Sequence, residues 1–333
     1  MAASESKERL DPLAKTALWT ASMRAREHER EDRLFCDPLA SLLAGTEGPA
    51  IMQRFEGAVQ PGVEDPALAV RTRYLDDQLV AQDGAGMRQF VSLAAGMDTR
   101  AFRLPWSPGV TVFELDRPAL LTLKDELLER AGVHSRCEWI PLGVDLMADW
   151  TTPLLEAGFD RARSTTWLIE GLLYFLDPLE CDLLLRQLSE MSASGSRLLA
   201  DYVGRTVLES AAMASWRMRM EEQGHPWKSG SDDPQSLFAG FGWTVRVAAY
   251  GDPDVDYGRW GAPGTAPGHR GRGGPSPPRG EGADPPRHRA PPPPGGGARR
   301  YLWRPTKDGP TRTGVIVISS HTPEVAYGST ASH

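Results

Sequence analysis

The sequence predicts an α/β fold: an open, mostly parallel sheet with helices on both faces, starting near residue 88 behind an N-terminal helical cap. Three observations predict it. Between residues 89 and 203, short runs of β-favouring residues alternate with amphipathic stretches, and such alternation builds a parallel sheet. The residues before this region repeat their apolar positions at helical spacing instead. The chain of 333 residues, 40% hydrophobic and 24% charged, is long enough to bury a substantial core.

In the cap, Leu13, Ala17, Ala21 and Met23 recur at helical spacing, and Cys36-Asp37-Pro38 offers a helix start before the apolar run 39–43. A third helix is expected over 65–82, with Leu68, Thr72, Leu75 and Leu79 on one face. Strands follow at 89–95, 110–116, 138–142, 165–171 and 196–203, with helices at 119–130 and 179–191. Helical stretches at 206–223 and 233–241 precede a strand at 243–249. These residues read as one domain over 1–260: cap 1–85, core 86–204, then a cap insertion and last core strand over 205–260. Residues 261–333 read as a Gly/Pro/Arg-rich tail, largely disordered, because Pro lacks a donor and little there drives burial. This tract is either a disordered insertion or the product of a shifted reading frame in a GC-rich gene, and its last apolar run, 314–319, can still form a strand.

The bulk numbers exclude several classes. A net charge of −7 argues against a general nucleic-acid binder. The cysteines, Cys36, Cys137 and Cys181, form no CxxC pair, so neither a disulfide framework nor a metal site is expected. The polar start MAASESKERL lacks a signal-peptide core, and no run reaches the ~20 apolar residues of a membrane span. A cytoplasmic protein, monomer or homodimer, without membrane or nucleic-acid partners, is the expectation.

Ligands of an open parallel sheet bind beyond the carboxyl ends of its strands. That points to Ala95-Gly96 after the first strand, Glu114–Asp116 at the end of the second, and Glu170 after the fourth. The loop LAAGMDTRAFRL has one glycine rather than GxGxxG, so it suits a nucleoside ligand without a pyrophosphate. Asp116 stands twenty positions beyond Gly96, where a carboxylate can accept both ribose hydroxyls. S-adenosylmethionine is such a ligand. Asp145, in Val144-Asp145-Leu146, can accept an adenine amino group or cap a helix. Glu170 follows β-favouring residues at a depth where a charge needs a partner: a core ion pair, or the cationic end of a ligand with Tyr174 above it. Arg71 and Arg73 precede the first strand on a helix, from which one can reach a ligand carboxylate.

The order VRTRYLDD, LAAGMDTRAFRLPW, VFELDRP, GVDL and WLIEGLLYFL, with ALWTASMRARE and FCDPLA before it, resembles the bacterial branch of the leucine carboxyl methyltransferase family over roughly residues 12–260. The resemblance implies a class I methyltransferase Rossmann-like fold, with helical additions over the site. It implies that Arg71 binds the cofactor carboxylate and that Gly96, beside Ala95, lines the methionine part. Asp116 would take the ribose, Asp145 and Leu146 the adenine, and Glu170 the amino end. It also implies acceptors that are carboxylates, of a protein C-terminus or of a small polyketide acid.

A carboxylate with a reference pKa near 4 is already a nucleophile at pH 7 and needs no base, whereas a phenol near 10 wants one. With the acceptors that the resemblance implies, the expected activity is O-methylation of a small, aromatic, polyketide-like acid, and the alternative is a phenol or hydroxyl methyltransferase of secondary metabolism. Tyr174 and His225, in EEQGHPW, are the candidate catalytic side chains, with His225 more readily structural or solvent-facing. Trp19, Met23, Trp216, Met220 and Trp227 can line an apolar acceptor pocket. Rivals from other classes are a nicotinamide oxidoreductase, which lacks its glycine-rich turn here, and a non-catalytic cofactor- or partner-binding protein using the Pro-rich tail.

Overall fold

A computed structural model of the protein describes residues 10–56, 66–250, 252, 255, 257–259 and 312–320. Helices α1 (Pro12–Glu29), α2 (Ala40–Ala44), α3 (Glu47–Glu56) and α4 (Ala67–Gly84) precede the sheet. The core then runs β1 (Gln89–Leu93), α5 (Arg100–Arg103), β2 (Thr111–Asp116), α6 (Pro118–Arg130), β3 (Glu138–Gly143), α7 (Thr151–Glu156), β4 (Thr166–Ile169), α8 (Pro178–Glu190) and β5 (Arg197–Val203). It continues through α9 (Arg205–Glu209), α10 (Ala214–Glu222), α11 (Pro234–Ala239), β6 (Trp243–Ala249) and β7 (Arg312–Ser320). The strand order is β3-β2-β1-β4-β5-β7-β6, with parallel pairing throughout.

Side chains alternate across this sheet as the two-residue period requires. Phe90, Val112, Leu168 and Leu199 enter the core beneath α1, α4 and α6. Val91, Phe113, Trp167, Ile169 and Leu198 enter the opposite core, with Trp150, Leu184, Leu188 and Phe238. Both faces are covered, so the strands read as near-continuous apolar runs. Within β2 the charged exception is Glu114, whose carboxylate meets the equally buried Lys124 ammonium of α6 at 2.5 Å. That pairing makes Glu114 part of the core and leaves Asp116 as the acid at the strand end.

Local chemistry sets the helix starts. Asp11 caps α1 by accepting the Ala14 N–H at 2.9 Å, with Pro12 at the first helical position. Asp177 and Glu180 form a reciprocal capping box at α8. Asp37, part of the helix start read from the sequence, caps nothing: α2 starts at Ala40 without a side-chain cap, and the Asp37 carboxylate turns inward to Arg24 and Thr99. The helical stretch expected over 206–223 is found as separate helices, because Ser210 is extended at φ −61°, ψ 155°. The sheet also draws on residues beyond 260: β7 lies between β5 and β6, with Leu199 opposite Ile316. Residues 260–311 and 321–333, on which the expected disordered tail falls, lie outside the described residues. No helix among the described residues is long and apolar enough to cross a membrane.

The cysteines sit in three environments. Cys36 is exposed and Cys181 is buried, while burial and the nearby Glu114 and Glu138 push the Cys137 thiol up to about 12. Since the thiolate is the reactive form, iodoacetamide at pH 8 should label Cys36 alone in the folded protein and all three after denaturation. Mass-spectrometric mapping of Cys137 as the first site modified would contradict this packing.

Candidate functional site

The sheet reverses its winding between β1 and β4, and a crevice opens there beyond the strand ends. Register brings the loops level: Leu93 lies opposite both Leu115 and Ile169, and Ile169 opposite Ala200. The residues that follow, Ala94, Asp116, Glu170 and Asp201, therefore emerge side by side.

On one side of the crevice, Asp116 organises the β1 loop. Its Oδ2 accepts the Gly96 N–H and its Oδ1 the Arg117 N–H, both at 2.6 Å. Burial raises its pKa, and these two N–H groups oppose the rise. A carboxylate offers about four acceptor positions, so capacity remains for two hydroxyl donors. Ala95 donates its N–H to the Leu115 carbonyl at 3.2 Å, tying the loop to β2. Ala94 and Gly96 both take φ of +54°, and a left-handed alanine at a strand end is a strained feature of the kind found at binding sites. At Gly96 a side chain would also be crowded, since a Cβ would lie 3.1 Å from that of Ala17 in α1.

Across the crevice, Arg71 of α4 reaches the ends of β4 and β5. It donates from Nε to Glu170 Oε1 at 2.9 Å and from Nη1 to Asp201 Oδ2 at 2.7 Å. A longer bond of 3.4 Å runs to the Tyr174 hydroxyl. Asp201 also accepts the Gly171 N–H at 2.6 Å, and Gly171 has φ +72° with the Tyr174 hydroxyl and Arg71 beside it. Glu170 is shared, because its Oε2 accepts from Arg100 Nη1 at 2.7 Å. Burial alone would raise the Glu170 pKa, but Arg100 and Arg71 outweigh it and hold the carboxyl below its usual range. Arg100 bonds Asp76 and Asp98 as well, each at 2.7 Å. Burial, with Asp201 beside it, keeps the Tyr174 phenol well above its ordinary pKa.

The cap is fastened to the β1 loop. Arg24 of α1 donates to the Met97 carbonyl at 2.5 Å and to Asp37 Oδ2 at 3.0 Å, and the same oxygen accepts from Thr99 at 2.8 Å. Asp37 is fully buried, yet its Oδ1 has no hydrogen-bond partner among the described residues. A buried acceptor in that state calls for a donor from a water or a ligand. A second tie joins Arg117, next to Asp116, to Asp11 at the start of α1.

Of the residues expected from sequence, the structure brings Gly96 and Asp116 into contact, and likewise Arg71, Glu170 and Tyr174. Asp145 and Leu146 stand one strand further out, beyond β3, with Asp145 exposed. Asp145 accepts the Met147 N–H at 2.9 Å in a turn and caps no helix, since α7 begins later after Trp150. Arg73 points elsewhere, to Asp77 at 2.9 Å and the Leu34 carbonyl at 2.7 Å. His225 is buried rather than solvent-facing: its ring packs edge-on to Phe175 at 6.2 Å, and burial lowers its pKa. Sequence reasoning passed over Arg24, Asp76, Asp98, Arg100 and Asp201, and read Asp37 only as part of a helix start. The available signal was charge in apolar surroundings: Asp98 and Arg100 interrupt LAAGMDTRAFRL, and Asp201 closes the run LLAD.

Asp116 with two acceptor positions left, a β1 loop with left-handed backbone and a crowded Cβ position at Gly96, and the orphaned Asp37 oxygen fit a nucleoside cofactor bearing an ammonium group. Residues 17–189 match the leucine carboxyl methyltransferase family. A protein of Parafrankia sp. (strain EAN1pec), whose name provisionally assigns it as an S-adenosyl-L-methionine-dependent methyltransferase, is 40% identical over 240 residues, covering 70% of this chain and 77% of its own. One of Streptomyces coelicolor (strain ATCC BAA-471 / A3(2) / M145), named in the same way, is 37% identical over 257 residues, covering 73% and 87%. Among solved structures, a duf574 family protein from Streptomyces avermitilis is similar, with a TM-score of 0.44 and 17% identity over 65% of this chain and 81% of that one. The family match and these relatives define the protein as an S-adenosylmethionine-dependent methyltransferase. Within that class the chain belongs to the leucine carboxyl methyltransferase family.

Proposed function

We propose that the protein O-methylates the carboxylate of a small acid, an aromatic and polyketide-like one. One observation carries this reading: among the described residues beyond the ends of β4 and β5, no side chain stands ready as a general base. Arg71, Arg100, Glu170 and Asp201 are tied into ion pairs, and Tyr174 keeps its proton. Such a site suits an acceptor that is already a nucleophile at neutral pH.

Bound S-adenosylmethionine supplies a methyl group on a sulfonium, open to in-line displacement by an acceptor oxygen. In this reading Asp116 holds the ribose, Asp145 and Leu146 the adenine, Ala95 and Gly96 the methionine part, Arg71 its carboxylate, and Glu170 its ammonium. Arg100 keeps Glu170 ionised and fixed, and Asp201 positions Arg71 and Gly171. The Tyr174 hydroxyl acts as a donor. The chain's contribution is then orientation with exclusion of water, an effect worth roughly 7–11 kcal/mol when geometry is held.

Calorimetric titration with S-adenosylmethionine and S-adenosylhomocysteine, beside NAD, tests the cofactor sites. Micromolar binding of the first two and none of NAD is expected. The acceptor class is tested by the pH dependence of turnover. A carboxylate acceptor gives a rate flat above about pH 5, whereas a rate still climbing toward about pH 10 would establish a phenol instead.

A further inference from the structure

A row of aromatic rings leads away from the crevice. Tyr174, in the turn after β4, packs on Trp227 with ring centroids 4.3 Å apart. Trp227 meets Trp216 of α10 at 5.7 Å, and Trp216 meets Trp19 of α1 at 5.7 Å. Four separate parts of the chain thus contribute one ring each. The inner end is anchored at the site, because the Tyr174 hydroxyl bonds Arg71. The outer three rings are only partly buried, unlike the core tryptophans Trp150 and Trp167, which are fully covered.

Charge accompanies the row. Arg219 lies over the Trp216 ring at 5.8 Å, and Arg217 is its neighbour on α10. Both are partly buried, and neither has a carboxylate partner among the described residues. The Nε atoms of both, and the Trp227 indole N–H, are buried without hydrogen-bond partners there. Stacked rings beside unpaired cations and spare donors complement a flat ring that carries negative charge.

We infer that Trp19, Trp216, Trp227 and Tyr174, with Arg217 and Arg219, form the acceptor subsite, and that it takes a planar aromatic acid rather than a flexible aliphatic one. This rests on the methyl-transfer reading for its purpose but not for its test. The protein, saturated with S-adenosylhomocysteine, is titrated calorimetrically with 2-naphthoate, octanoate and naphthalene-2-carboxamide. The naphthoate should bind about tenfold or more tighter than octanoate, and Trp227→Ala or Trp216→Ala should weaken it by a similar factor. Trp227→Phe, which keeps a ring, should restore binding, and Arg219→Met should erase the preference for naphthoate over the neutral amide.

Equal binding of octanoate, or naphthoate binding untouched in both alanine variants, would overturn the assignment. Titration of S-adenosylhomocysteine alone is read separately in every variant and should stay unchanged. Its failure in the wild-type protein would count against the cofactor reading, while naphthoate binding would still report on the rings.

Discussion

Replacing Asp116 by alanine should weaken S-adenosylhomocysteine binding by about 100-fold or more. Two charge-assisted hydrogen bonds to ribose hydroxyls are worth about 1.5–3 kcal/mol each, and a 100-fold loss corresponds to about 2.7 kcal/mol. The same carboxylate also receives the Gly96 and Arg117 N–H groups, so its removal loosens the β1 loop as well. Asp116→Asn separates the two effects. It keeps the volume and one acceptor oxygen, and should bind with intermediate strength. Calorimetry on each variant, beside its urea unfolding curve, is the measurement. Wild-type affinity in a folded Asp116→Ala protein would remove this residue from the cofactor site.

The largest effect on stability is expected at Arg100. Its side chain is 7% exposed and bridges Asp76, Asp98 and Glu170. Burial disfavours its charge, yet Asp98, Glu170 and Asp76 raise its pKa well above the ordinary value. Arg100→Met takes the arginine from Asp98 and leaves Asp76 to Arg103 and Glu170 to Arg71, and breaking a buried pair in this way costs about 3–5 kcal/mol. Arg100→Lys should recover only part, since a point charge cannot span three partners. The cost should also depend on pH. Glu170 and Asp98 are held below their ordinary pKa in the native protein. Their contribution is present above the unfolded carboxylate range, near pH 4, and is lost as pH falls through the lower folded values. In the variant, loss of Arg100 removes the largest charge opposing burial at both groups, so each titrates higher than in the wild type and protonation on acidification relieves part of the cost. The gap between wild type and Arg100→Met should therefore be widest near neutrality and narrow below about pH 5. A gap below about 1 kcal/mol, or one constant with pH, would show that the network is loosely held.

Much of this was legible along the chain. Alternation of β-favouring runs with amphipathic stretches marks the sheet, because side-chain direction in a strand and on a helix has a fixed period. The strand expected at 110–116 is found at Thr111–Asp116, and the helix at 119–130 is Pro118–Arg130. The crevice was legible for the same reason, since parallel strands in this order must end together beside Gly96, Asp116 and Glu170. Local signals had less reach. Asp37-Pro38 has the composition of a helix start, yet a partly buried arginine 13 positions away claims the carboxylate. His225 sits in a polar loop sequence, yet the cap folds it against Phe175.

What the sequence by itself determined was the class of fold, the strand ends that frame the crevice and the family. What only the tertiary structure decided was which charges share which partners. Arg71 lies 99 positions from Glu170 and 130 from Asp201, and Arg100 lies 70 from Glu170. No periodicity carries information over such separations. Whether a buried charge is a core ion pair or part of a site depends on what register and packing bring to it. Here they made Glu114 and Lys124 a pair within the core, and made Glu170 the hinge between two arginines at the mouth of the crevice.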